Sequence, residues 1–260
     1  MNAQNETWEA EEDSTQFFIG LSLGVHFPNN NTAHIYSGRP DVTSYGINYI
    51  LSQPYNQETF DEYFEYPYRV AEFPFAPTYK SSFEIGFHMA YKLDDKVSMF
   101  FGFNSVQLDY EQFFTMAIDD PHNQLPGPTY EQLAIIGEEN RFHINLGTQL
   151  SFFNGESSNA YFSLFANLNN VRIAQNFIII DGREYHIYHY PEYSDERPGG
   201  FSYGGGGGLG FKFEVADKVY ADLYYDLYYT SIKMNENINP FGLHHSLGLR
   251  VLWGMGGNKE

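Results

Sequence analysis

A chain of 260 residues, 42% of them hydrophobic, can bury one sizeable core, and its 24 Phe and 22 Tyr against 18% charged residues exclude a disordered polymer. Its 14 basic and 33 acidic side chains leave a net charge of −19, which repels phosphate backbones and argues against a nucleic-acid partner. The lack of cysteine removes disulfides, thiolate metal sites and cysteine nucleophiles, and no apolar run approaches the roughly 20 residues of a membrane-spanning helix.

Residues 1–14, with Glu6, Glu9, Glu11, Glu12 and Asp13, read as an acidic periplasmic segment, and Met1-Asn2-Ala3-Gln4 as the remnant of a trimmed signal peptide. From 15 to 255 the dominant feature is alternation at a period of two, the signature of strands with two unlike faces. Phe17, Ile19, Leu21, Leu23, Val25 and Phe27 alternate with Gly20, Ser22, Gly24 and His26, and Phe83, Ile85, Phe87, Met89 and Tyr91 with Glu84, Gly86, His88 and Lys92. A third segment sets Val97, Met99, Phe101 and Phe103 against Ser98, Gly102 and Asn104; its phase then slips near Ser105, as at a bulge or the end of pairing. Phe142, Ile144, Leu146 and Leu150 oppose Arg141, His143, Asn145 and Gln149, and Phe162, Leu164, Ala166 and Leu168 oppose Tyr161, Ser163 and Asn167. In the sixth, Phe201, Tyr203, Leu209, Phe211 and Phe213 interleave with Ser202, a glycine run and Lys212. The seventh pairs Leu223, Tyr225, Leu227 and Tyr229 with Asp222, Tyr224, Asp226 and Tyr228, and the eighth pairs Leu243, Leu247, Leu249 and Trp253 with His244, Ser246, Gly248 and Arg250.

The connections alternate. Asp94-Asp95-Lys96, Asn154 to Asn159 and Ala216-Asp217-Lys218 are tight hairpin turns, whereas 28–78, 106–140, 170–200 and 232–241 are long loops, all at the opposite end. The fold class is therefore all-β: an eight-stranded antiparallel up-and-down transmembrane β-barrel with long extracellular loops on one rim, short turns on the other and a tail at 256–260. Orientation follows from the polar face. In water it should be rich in Lys, Glu and Thr, but it is mostly Gly, Ser, Asn, Tyr and His, which suits a packed interior, while the apolar face carries Tyr79, Tyr91, Tyr229, His245 and Trp253 near strand ends, as an interfacial belt requires. A soluble lipocalin-like carrier is the alternative with the faces exchanged.

Eight strands leave an interior about filled by side chains, so charges there must pair. Glu84, Lys92, Lys212, Asp222, Asp226 and Arg250 are expected to form a structural ion-pair network, with Arg250 beside Asp222 and Asp226. The run Gly204 to Gly208, with Gly210, contains a GxGxxG match, but a dinucleotide fingerprint needs a following helix and a strand follows. Inward glycines are read as making room for Tyr220, Tyr224 and Tyr228, and outward Gly205 and Gly207 as a thin wall on which another membrane protein docks. His186 and His189 are the candidates for a loop metal pair near Glu184, Glu192, Asp195 and Glu196, at a spacing too weak to assign a metal; no cofactor is called for. No GxSxG motif occurs, and a hydrolase at the outer rim would need His244, on one face with Ser246, bonded to an acid and a nucleophile in an open cleft. The acidic, Tyr-rich loops, densest at Tyr63-Phe64-Glu65-Tyr66-Pro67-Tyr68, leave two roles open: binding a protein or basic ligand, or capping the barrel mouth.

The opening Phe17-Phe18-Ile19-Gly20-Leu21-Ser22-Leu23-Gly24-Val25 and closing Leu247-Gly248-Leu249-Arg250-Val251 resemble the first and last strands of the PorT-like outer-membrane barrels, within the architecture of the small OmpA and OmpX type. The resemblance implies an outer-membrane protein without catalytic residues, an accessory or interaction subunit of a cell-surface secretion or transport assembly such as type IX secretion, with lipid and other membrane or secreted proteins as partners. The chain departs from the pattern by ending in Trp253-Gly254-Met255-Gly256-Gly257-Asn258-Lys259-Glu260, without a terminal aromatic.

Overall fold

The computed structural model describes residues 16–123, 126–189, 198–235 and 237–256. The segment 1–14, tail residues 257–260 and the acids Glu192, Asp195 and Glu196 lie outside them. Ten strands follow in chain order: β1 (Phe17–Phe27), β2 (Tyr68–Glu72), β3 (Ser82–Lys92), β4 (Val97–Ile118), β5 (Thr129–Asn154), β6 (Ser158–Ile180), β7 (Arg183–His186), β8 (Gly199–Ala216), β9 (Val219–Ser231) and β10 (Phe241–Met255). Eight close a ring of antiparallel pairs, β1-β3-β4-β5-β6-β8-β9-β10 and back to β1. Closure leaves no open edge, the condition for a sheet to stand in hydrocarbon. Among the described residues no helix is long and apolar enough to cross a membrane.

In the ring's lower part the apolar residues point outward. Leu23, Ile85, Leu146, Leu164, Leu223 and Leu247 are exposed on the wall, while Ser22, Glu84, Asn145, Ser163, Asp222 and Ser246 are buried inside. A carrier with a greasy interior needs the opposite polarity. At about 3.3 Å per residue and a tilt near 45°, the 11 residues of β1 rise roughly 25 Å, the height of an apolar barrel band.

β4, β5 and β6 run to 22, 26 and 23 residues, well beyond that band. The phase slip at Ser105 is neither a bulge nor an end: β4 pairs with β5 without a shift from Val97↔Leu150 to Ile118↔Thr129. What changes is the solvent. Even-numbered side chains of β4 stay inside throughout, but they are Gly102 and Asn104 below and Val106, Leu108, Tyr110, Phe114 and Met116 above, with Gln107, Asp109 and Glu111 now outside. β5 and β6 exchange polarity at neighbouring positions, since Ser105 lies opposite Phe142 and Phe142 opposite Asn170. Most of 106–140 and the first part of 170–200, expected as loops, are therefore strand, and the β4 to β5 connection shrinks to 119–128.

Above the band the three long strands gain β2 beside β4 and β7 beside β6, giving a sheet ordered β2-β4-β5-β6-β7. An extra residue in β6 near Ala174 shifts its phase, so that Ile178 and Ile180 join Val171 in one core. The first long loop covers this sheet with a 3-10 turn (Ala33–Ser37), α1 (Ile47–Ser52) and α2 (Pro54–Phe64). Pro54 starts α2, where its missing N–H costs nothing, and Phe60 and Phe64, one turn apart, bury against the sheet. Glu65 ends the helix at a φ of 62°. The loops thus cap the barrel as a lobe with its own hydrophobic core. Tyr79, expected in the lipid belt, is buried here.

Candidate functional site

The barrel interior is the first candidate, and it is full. Arg250 on β10 reaches Asp226 at 2.8 Å and Asp222 at 3.4 Å on the adjoining β9, and its guanidinium lies 3.7 Å from the centre of the Tyr224 ring. The Tyr161 hydroxyl donates to both Asp222 oxygens, at 2.8 and 2.9 Å. Lys212 makes no ion pair among the described residues; its ammonium sits 4.3 Å from the Phe18 ring centre. Lys92 does not join the network either: it points to the rim and pairs with Asp95 of the short turn at 2.7 Å, because the strand ends there. Among the described residues Glu84 meets no Lys or Arg, and it accepts from Ser246 at 3.0 Å and Tyr224 at 3.4 Å, with His26 Nδ1 at 3.4 Å.

The sequence reading missed the pair at the top of the lumen. Glu139 and Arg141, both fully buried, bond to each other through Arg141 Nε, and the Tyr36 and Tyr79 hydroxyls each donate to Glu139 at 2.9 Å. The signal was parity alone, since Glu139, Arg141 and His143 share one face of β5.

Neither the hydrolase arrangement nor the metal pair considered from the sequence is assembled among the described residues. His244 is buried, and its ring contacts Asn29 at 2.7 Å and Arg141 at 3.4 Å, neither an acid nor a nucleophile. Ser246, His26 and Glu84 do meet, but Ser246 and Glu84 crowd the same ring nitrogen, Nδ1, in the closed lumen, so no relay from acid through imidazole to hydroxyl exists. His186 rests against the Phe177 ring, while His189 faces Asn176 at 3.1 Å; no metal-holding group forms among the described residues.

The glycine run packs differently from expectation. A Cβ on Gly206 would collide with the Phe165 ring at 2.6 Å and one on Gly210 with the Tyr161 ring at 2.1 Å, so the rings filling this space come mainly from β6, and Tyr224 instead fills the gaps at Gly24 and Gly248. Gly205 and Gly207 face outward opposite Ala166 and Leu164, a low stretch of the lipid-facing wall.

The lobe is the second candidate. Its exposed surface carries Asp41, Glu58, Asp61, Glu62, Glu72, Asp109, Glu111 and Asp119, with Arg69 committed to Asp119 and Lys80 to Glu111. The bond to Glu111 raises the Lys80 ammonium's pKa. Tyr63 of α2 donates to Glu131 at 2.5 Å, which with burial pushes its phenol up to about 12. Burial brings His189 down to about 4, so it is neutral at ordinary pH. The lobe is held to the sheet by packing and such latches.

No family model matches the chain, and no curated protein does. Among solved structures it is similar to Neisserial surface protein A (10% identity, TM-score 0.44, 92% of this chain and 97% of that one) and to Ail, the attachment invasion locus protein of Yersinia pestis (10%, TM-score 0.35, 92% and 98%). A second Ail structure, in complex with the heparin analogue sucrose octasulfate, gives 11% identity and a TM-score of 0.36, again over 92% of this chain and 98% of that one.

Proposed function

We propose that this chain is a non-enzymatic protein of the bacterial outer membrane whose barrel anchors a rigid, acidic surface lobe, and that the lobe engages another protein. The reading rests on one observation: three strands run to at least twice the 11 residues of β1 to build, above a filled lumen, a lobe with its own apolar core. A transport pore needs an open interior, and a passive anchor needs no ordered mass outside the membrane. Within this reading the chain serves as an accessory or interaction subunit of a secretion or transport assembly, with lobe and wall, including Gly205 and Gly207, as its contact surfaces.

Site-specific photo-crosslinking in intact cells tests it. A photoreactive residue at Gln132 or Tyr55 on the lobe, or Leu164 on the wall, should trap a discrete protein from at least one lobe position. Absence of crosslinks from every lobe position, or single-channel conductance by the purified barrel in a planar bilayer, overturns the proposal.

A further inference from the structure

The outer face of the lobe sheet combines features that a water-facing sheet ordinarily avoids. Phe113 of β4 is 53% exposed opposite Ala134, with Ile136 diagonal to it, and Tyr130 is 65% exposed further up β5. The segment after β2 runs beside β4 between Thr115 and Gln112 and holds Phe75 99% exposed. These rings do not belong to the lipid belt: Phe113 lies eight residues past the switch at Ser105, about 26 Å along the strand at 3.3 Å per residue. Directly below them Asp109 and Glu138 face each other across the ladder, with Glu111 beside them. Lys80 is committed to Glu111, and Glu138 accepts from the Gln175 amide at 2.7 Å. Asp109, Glu111, Ile136 and Glu138 line a concavity of about 270 Å³ together with Lys80, whose single charge leaves the three carboxylates in excess.

We infer that this face binds a basic protein surface, with arginine or lysine heads entering the concavity and apolar side chains covering Phe75 and Phe113. Like charges opposed across a ladder are unfavourable, and a cation laid between them removes that cost. Exposed aromatics beside such a slot supply the apolar centre that carries most interface energy. The same charge repels a second copy of this acidic chain, an anionic lipid surface and a sulfated polysaccharide. The inference rests on the proposed function and narrows it to one face and one partner chemistry.

The test uses the full chain in detergent and two synthetic peptides, one alternating arginine with leucine and one alternating glutamate with leucine, with binding read by microscale thermophoresis. The arginine peptide should bind, about tenfold more weakly at 500 than at 50 mM NaCl. Asp109→Asn with Glu138→Gln, and separately Phe75→Ser with Phe113→Ser, should each weaken it about tenfold, while Tyr55→Ser with Glu58→Gln on α2 leaves it unchanged. Each variant's fold is checked by its heat-dependent shift on a gel. No binding, equal binding of the glutamate peptide, or an equal loss in the α2 variant overturns the inference. Crosslinks from Tyr55 with undiminished peptide binding by the Phe75 and Phe113 variant would remove this face and leave the proposed function standing.

Discussion

The two halves of β4, β5 and β6 obey opposite rules on one continuous backbone. Below Ser105, Phe142 and Asn170 the strands are apolar outside and polar inside; above, they are polar outside and apolar inside, with no break in the β4 to β5 ladder. Pleating fixes which side chains point inward, and the surroundings decide which chemistry those positions tolerate. Hydrocarbon accepts Leu146 on the outer wall, and water accepts Gln132 at the equivalent outward position of the same strand. The seam between the two regimes is the Glu139 and Arg141 pair, a charged plug between a polar lumen and an apolar core.

The largest expected effect lies at that seam. Glu139→Ala leaves Arg141 buried without its counter-charge and strips the Tyr36 and Tyr79 hydroxyls of their acceptor, which should cost about 3–5 kcal/mol in guanidinium unfolding of the reconstituted protein. Glu139→Gln combined with Arg141→Met should recover most of the loss. A double variant as unstable as the single would mean that the seam needs the charges themselves. Next comes the same substitution on either side of it. Leu146→Arg places a charge against hydrocarbon and should cost about 2–4 kcal/mol, whereas Gln132→Arg should stay within about 0.5 kcal/mol. Equal costs would erase the distinction between the halves.

The architecture of the lower half was legible because one solvent acts along its whole height, so that alternation alone gives the strands, the turns, the ring and its orientation, whereas the partners of Lys92 and Lys212 depend on how far each side chain reaches. Arg250 could be placed beside Asp222 and Asp226 because the β9 to β10 register follows from the strand ends. The upper half was misread because its solvent changes. At Ser105 the apolar set moves from odd to even positions with no residue inserted, and a reading that ties apolar to outward must invent a bulge. The acids Asp109 and Glu111 on the odd positions were the available sign that the outside had become water. Glu139 was lost in the same way, since Glu138-Glu139-Asn140 resembles a polar loop until its alternate members are assigned to opposite faces. α2 announced itself through Pro54 and the spacing of Phe60 and Phe64, but the aromatic density of its loop hid that pattern. Which neighbour's rings fill the space over Gly206 and Gly210 is not legible from one strand, because β6 and β9 flank the run equally and both offer aromatic rings.

Smaller effects separate the halves by pH. His189 holds its proton more weakly when folded, near 4, than in an unfolded chain, where the ordinary value is about 6.5. The unfolded state therefore binds more protons between those values, and lobe stability present at neutral pH is lost as pH falls from about 6.5 towards 4. Hydrogen exchange should show the strand containing Asn176 and the covering helices loosening at pH 4.5, and His189→Asn should remove much of that dependence. Exchange in the lower strands rising to the same degree would mean that the two regions do not open separately.

The weakest effect is expected at the opposite end of the scale, where Tyr63 latches α2 to β5. Its phenol, raised to about 12 chiefly by the bond to Glu131, keeps its proton when the unfolded chain has begun to lose it near 10. The unfolded state binds fewer protons between 10 and 12, so the latch contributes fully below pH 10 and is lost as pH climbs through the folded value. Tyr63 is only partly buried, so screening keeps this contribution small, about a few tenths of a kcal/mol at most. The difference absorbance at 295 nm between the parent and Tyr63→Phe should titrate about two units above a free phenol. Trypsin, cutting at Arg69 just past α2, should nick the variant slightly faster than the parent below pH 10, with the difference closing as pH climbs through the folded value. A normal titration would leave packing of Phe60 and Phe64 as the whole of what holds the helix, and would make the lobe's attachment as indifferent to alkali as the barrel below it.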